Sequence, residues 1–485
     1  MPGAVMLGLI AVLVAPTAAL AQDGPTVESI ADELNWTWVI VAGALVFFMQ
    51  AGFALLEIGF SRGKNAGMGI AKILVNFSIA TIGWWVAGFA IAFGGAGLIA
   101  GDSGFMFQFG REYDLFGAST VASGGDAAFF VFQFMFCAVS LAIVWGTTLE
   151  RMKFAAYVPF AIVFSVVIYP LIAHWGFGGG LFGADRLGGL MGNGVQDFAG
   201  SSVVHLTGAT AALAALLLLG PRKGKYTADG QPRAIPGHNM PLFGLGVIIL
   251  WLGWFGFNGG STLGTGGNRF AEVVAVTNLG AAGGVIGAMV IGYLKQKTLD
   301  IGMIGNGAIA GLVAITAPSG YVEFWAAPII GLVAGVIVVY GVIAIDKKLD
   351  DPVGALSAHG LAGIWGTLAC GLFTSPRLAD TIGIGKAGLV YSGEFNQLGV
   401  QALAVAITFA AVFGMSFVTL TIIKATIGLR VPEEMEDAGL DISEHGMYGY
   451  PEQFIPAAEL IGYGGGQPAR PAPAVPLSSS QEVTA

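Results

Sequence analysis

Eleven apolar runs, each near the length needed to cross a bilayer, restrict this chain more than any other feature; they fall near 36–59, 71–97, 127–149, 154–176, 198–220, 240–263, 271–294, 300–318, 323–345, 352–374 and 398–424. About 20 apolar residues span a hydrocarbon core roughly 30 Å thick. A segment in that core must satisfy its own backbone hydrogen bonds, as a helix does. The expected fold class is therefore an all-α polytopic membrane protein of eleven transmembrane helices. Only 11% of residues are charged, against about 25% in a soluble domain. The 77 glycines suit close helix approach in lipid, where association depends on packing. Cys137 and Cys370 both lie in apolar runs and read as small buried hydrophobes rather than a disulfide.

Positive charge tests the number of spans. Residues 1–21 form a short apolar stretch ending Ala19-Leu20-Ala21, which reads as a signal peptide, although no Lys or Arg precedes it. The alternative is an uncleaved first span. With the mature N-terminus outside, the inner loops hold Arg62, Lys64 and Lys72; Arg151 and Lys153; Arg222, Lys223, Lys225 and Arg233; Lys295 and Lys297; Lys347 and Lys348; Lys424 and Arg430, fifteen in all. The outer loops hold five: Arg111, Arg186, Arg269, Arg377 and Lys386. Such a bias marks the cytoplasmic side, so the C-terminus is expected there, in a cell inner (plasma) membrane. The domain organisation that follows is a signal peptide over 1–21, a transmembrane domain over 22–427 and a cytoplasmic tail over 428–485. The tail is acidic to about Pro456, and from about 465 its Pro, Ala and Ser content reads as disordered.

One spacing recurs. His205 follows Asp197 by eight residues in the fifth run, and His359 follows Asp351 by eight in the tenth. Five spans separate the two copies, so they enter the membrane from opposite faces. Inverted repeats of this kind place substrate sites near the midplane. Eight residues rise about 12 Å along a helix, so both histidines are expected to meet near the centre. Asp351 before Pro352 matches an N-cap followed by proline at the first helical position, and Asp197 can cap in the same way. An eight-residue step is about 80° out of register, so neither acid should touch its own histidine. The acids are structural first and electrostatic second. Two imidazoles side by side would make a short proton relay near neutral pH. No cysteine or carboxylate spacing typical of a metal site accompanies them, and no cofactor motif is present.

The residues resemble those of the ammonium transporter (Amt/Mep/Rh) family, in a bacterial Amt-type form. Six stretches in order carry the likeness: Gly59 through Asn65, Asp197 through His205, Trp254 through Ser261, Asn306 through Thr316, Asp350 through Gly360, and the tail piece Gly439 through Gly446. It covers the chain from about residue 36 to Tyr450. The resemblance implies a homotrimer with one pore per subunit. It also implies an outer recruitment site for ammonium at Phe132, Phe136, Phe177 and Ser261, an aromatic gate of Phe136 and Phe257, and Trp254 lining the passage beside His205 and His359. Many members have a tryptophan just before the outer Gly-Gly-Gly, where Phe177 stands here, and some carry an acid where Gly354 stands. The likeness further implies that the ordered tail couples subunits and offers a docking face for a trimeric PII signalling protein, which the residues alone do not show. An ammonium sensor or transceptor is the alternative, although no long output domain follows the last span. An enzyme is not expected, since no Gly-x-Ser-x-Gly, His-Glu-x-x-His or paired-cysteine motif occurs.

Overall fold

A computed structural model describes residues 26–107, 124–190 and 194–455. The expected signal peptide, Arg111 and the tail beyond Ile455 lie outside the described residues. Among the described residues the secondary structure is helical, with two isolated bridges, Met152–Arg430 and Tyr226–Pro232. Among the described residues, ten helices are long and apolar enough to span a membrane. They are α1 Val27–Phe60, α2 Gly63–Phe93, α3 Gly125–Thr147, α4 Phe154–Gly176, α5 Ser201–Leu219, α6 Met240–Gly260, α7 Gly266–Gln296, α9 Ala326–Ile345, α10 Leu356–Phe373 and α11 Asn396–Thr426. Between α7 and α9 lies α8, Ile301–Thr316, apolar but only sixteen residues long. At 1.5 Å per residue it covers about 24 Å, and nearly all of it is enclosed by its neighbours. The eleven expected runs each correspond to one of these helices.

Helix ends depart from the apolar runs where polar residues are also helical. α1 begins nine residues before the expected 36, because Thr26 caps it by accepting from the Ser29 amide and Glu28 sits in its first turn. The exposed segment ahead of the apolar run is helical without being apolar, so a hydropathy criterion passes over it. Lys72, counted among the inner-loop charges, is instead a fully buried residue of α2, one turn beyond Met68.

The first helices of the two halves, α1 and α6, pack along each other, and α5 packs against α10. Packing is close enough to require glycine: a Cβ on Gly331 of α9 would lie 1.8 Å from the Gly280 carbonyl oxygen of α7. Hydrophobic attraction between helices is absent in lipid, and such backbone approach replaces it with dispersion contact.

One end of the bundle carries the basic loops and a buried ion network. Arg222 donates to both Asp350 oxygens at 2.9 Å and to Glu150 at 3.2 Å, Arg62 pairs with Glu150 at 2.8 Å, and Arg151 donates to the Asp350 carbonyl at 2.8 Å. Burial pushes the Asp350 carboxyl up, but the Arg222 hydrogen bonds and the Arg151 charge outweigh it and hold it at about 2. The tail folds onto this end. Asp441, on the short helix α12 (Leu440–His445), accepts from the Gly67 and Met68 amides at 2.8 Å and so caps the start of α2, while the Lys64 ammonium donates to the Glu436 and Asp437 carbonyls.

Candidate functional site

Both histidines sit on short π-helical turns, Ser201–Leu206 and Leu356–Leu361, that open α5 and α10. This differs from the expected placement two turns inside a regular helix: His205 is the fifth residue of α5 and His359 the fourth of α10. The stretches between acid and helix are non-helical, and each contains a glycine at positive φ, Gly200 (+117°) and Gly354 (+75°). At Gly354 a Cβ would also meet the Asn306 amide nitrogen at 3.1 Å, so neither the conformation nor the space suits an acidic side chain there.

The two acids hold these turns. Asp197 Oδ1 accepts from the Gly200 and Ser201 amides at 2.8 Å, and its Oδ2 accepts from Ser202 and Val203 at 2.9 and 3.0 Å. Asp351 Oδ2 accepts from Leu356 at 2.7 Å, while its Oδ1 has no partner. The expected N-cap with Pro352 at the first helical position is corrected: Pro352 and Val353 form a turn, and the helix starts beyond Gly354. The proline fixes that turn instead of the helix.

From these opposed turns the imidazoles meet. His205 Nδ1 lies 3.2 Å from His359 Nδ1, with the rings 25° from parallel. Across that contact one Nδ1 donates and the other accepts, so each ring keeps its Nε2 for a partner beyond the pair. His205 Nε2 is buried and has no protein partner. Trp254 stacks on His205 at 5.1 Å between ring centroids, its indole N–H held by the Thr316 hydroxyl at 2.8 Å. Phe257 lies 5.6 Å from His205 and stacks on Phe136 at 4.0 Å, and Phe136 in turn touches Phe132 at 4.7 Å.

A cavity of about 230 Å³ opens above this pair at the end opposite the basic loops. Its walls include Phe132, Gln133, Phe136, Phe177, Asp197 and Ser261. Ser261 donates its hydroxyl proton to the Phe257 carbonyl at 2.8 Å, which leaves its oxygen lone pairs available to accept. Trp175, two residues before Phe177, instead donates to the Ile99 carbonyl at 2.9 Å.

The family model of the Ammonium Transporter Family matches residues 37–450. The chain belongs to the ammonium transporter family. Ammonium transporter Amt2 of Archaeoglobus fulgidus is 43% identical over 462 residues, covering 93% of this chain and 96% of the relative. The ammonium transporter of Bacillus subtilis is 34% identical over 413 residues, covering 84% of this chain and 96% of the relative. Among solved structures, a sensor Amt protein superposes with a TM-score of 0.77 at 34% identity, covering 86% of this chain and 99% of that one.

In this ammonium transporter the aromatic residues, Ser261, Trp254 and the two histidines singled out from sequence are brought together, while Asp351 stands in the cavity at the basic end. Phe132, Phe136, Phe177 and Ser261 line the cavity at the mouth, Phe257 stacks on Phe136, and Trp254, His205 and His359 follow in contact. Asp197 reaches the mouth cavity from behind its four amides. Sequence reasoning missed Gln133 at the mouth, Phe53 facing His359 at 6.3 Å, and the buried Glu57–Lys72 pair of α1 and α2. The pair had a signal, since each is an ionisable residue inside an apolar run.

Proposed function

We propose that this transporter takes up ammonium through the line of residues from Ser261 to His359, splitting the ion at the gate. At the mouth, Phe132, Phe136 and Phe177 offer ring faces and Ser261 offers an acceptor. A cation–π contact is worth about 2 kcal/mol when partly desolvated. Beyond the Phe136–Phe257 stack the passage is apolar and opposes a bare ion by several kcal/mol. Ammonium gives its proton to the free Nε2 of His205. The proton already shared between the two Nδ1 atoms shifts to His359, and ammonia passes as a neutral molecule. Potassium has the charge and no proton to give, so it stops at the mouth. The single observation that carries this reading is the 3.2 Å Nδ1–Nδ1 contact, which gives a continuous proton path where two opposed helices begin.

The same reading places the basic loops and folded tail in the cytoplasm and the Ser261 mouth outside, in an inner (plasma) membrane. It takes 1–21 as a cleaved signal peptide, 22–427 as the transporting unit and 428–485 as a regulatory tail. It takes the assembly as a homotrimer, with a PII signalling protein as a partner of the tail. Support for the tail's role comes from its contacts with Lys64, Gly67 and Met68 at the start of α2.

The test is solid-supported-membrane electrophysiology on purified protein in liposomes with ammonium and potassium jumps. A sustained current for ammonium alone, lost in the His205→Ala/His359→Ala double variant, is expected. Unchanged ammonium current in that variant would refute the relay. A sensor reading would gain only if deletion from Gly428 onward abolished a cellular ammonium response while transport stayed intact.

A further inference from the structure

On the basic side of the histidine pair lies a narrow cavity lined by Phe53, Glu57, Gly146, Asn306, Val353 and His359, with about 20 Å³ in which a water can be centred. One water needs roughly 10–15 Å³ by that measure, so the cavity has room for a single water between His359 and Glu57. Phe53 faces His359 at 6.3 Å, and Glu57 is four residues on along the same face of α1, about 6 Å further toward the basic end. Its carboxylate sits beside Gly146, where a Cβ would come within 3.4 Å of Oε1.

Glu57 is 1% exposed, and its Oε2 has no hydrogen-bond partner. The charged group facing it is Lys72 of α2, equally buried, whose ammonium also lacks a hydrogen-bond partner and lies 4.2 Å from the Trp145 ring centroid. From α4, the Tyr157 hydroxyl is near but is engaged with Asn76 Oδ1 at 2.7 Å. Beyond Lys72 are Arg151 and, on the tail, Glu444. A structural ion pair in a membrane core is expected to be hydrogen-bonded. This one is not, and its acid instead fronts a water-sized space shared with His359.

We propose that Glu57 is the proton acceptor below the histidine pair. His359 releases an N–H proton to the bridging water, which passes one of its own protons to the Glu57 carboxylate, forming a neutral carboxylic acid. The nearby Lys72 charge opposes any longer stay of the proton. Glu57 then returns the proton to water of the larger cavity at the basic end, where Asp346, Asp351 and Arg222 stand and whose walls Asn306 and Val353 share, and becomes a carboxylate again. Asn306 donates to the Val353 carbonyl at 3.1 Å, so these two linked residues form a wall common to both spaces. The inference rests on the histidine relay proposed above and extends it to the exit.

The experiment uses the full-length chain in liposomes, with ammonium-jump currents recorded in H₂O and D₂O. Glu57→Gln should lower the sustained current at least tenfold and enlarge its solvent isotope effect, whereas Glu57→Asp should restore part of the current. Because Glu57→Gln strands Lys72, the charge-balanced Glu57→Gln/Lys72→Met variant serves as the folding control. It should melt like the wild type yet stay at the low current. Recovery of wild-type current in that double variant, or no loss in Glu57→Gln, would overturn the role of Glu57. Full current in the His205→Ala/His359→Ala variant would sink the histidine relay instead, and Glu57→Gln read beside it tells the two failures apart.

Discussion

Replacing Asp197 separates a carboxylate that holds a turn from one that acts by charge. Its two oxygens accept four backbone N–H groups at the start of α5, all in a buried region. Asp197→Ala orphans all four donors. Each buried unsatisfied donor costs about 1–3 kcal/mol, and with relaxation near the lower end the loss is about 4 kcal/mol. Asp197→Asn keeps one acceptor oxygen and two bonds, and turns an NH₂ toward the other two donors, so it should lose about 2 kcal/mol or slightly more. With an unfolding entropy of about 2 cal/mol/K per residue, these correspond to falls of roughly 4 °C and 2 °C in the melting midpoint of purified protein. Transport should fall in the same order, because the turn fixes His205, and a displacement of about 1 Å can cost on the order of 100-fold in rate. Fluorescence-monitored melts paired with ammonium-jump currents provide the assay. If Asp197→Asn melted like the wild type and were as inactive as Asp197→Ala, charge would be the main contribution and the capping argument would fail.

Other outcomes follow from the same geometry. Thr316→Val removes the acceptor of the Trp254 indole N–H, so melting should show a loss of about 1–3 kcal/mol, and tryptophan fluorescence should shift as the ring leaves His205. Ser261→Ala removes one acceptor at the mouth and should raise the half-saturating ammonium concentration roughly three- to tenfold, about 1 kcal/mol, with little change in maximal current. At the basic end, Asp350 is held at about 2 against an ordinary 3.8. Its folded-state value is depressed, so its contribution, roughly 2 kcal/mol, is fully present above pH 4 and is lost as pH falls toward 2. Melts from pH 5 to pH 2.5 should show that decline, and Asp350→Asn should flatten it while lowering stability at neutral pH.

The sequence by itself determined the helical membrane class, the order of the spans and the inverted pair of histidines, because these depend on local quantities. Hydropathy over about 20 residues reports burial in lipid whatever the neighbours are, and an eight-residue spacing repeated with opposite direction marks two residues entering from opposite ends of the bundle. The family motifs added Phe132, Phe136, Phe177, Phe257 and Ser261, which folding brings together around one cavity and the ring stack beside it. What hydropathy could not register was any helix outside the lipid, such as the first turns of α1, or the non-helical and π-helical backbone at the histidines. Those depend on glycine φ angles and on a carboxylate gathering four amides, which are tertiary facts. Lys72 shows the same limit from the other side. Its charge read as a loop residue until folding placed it in α2 facing Glu57, because only a partner helix decides whether an ionisable residue near a span end stays in water or is buried against another span.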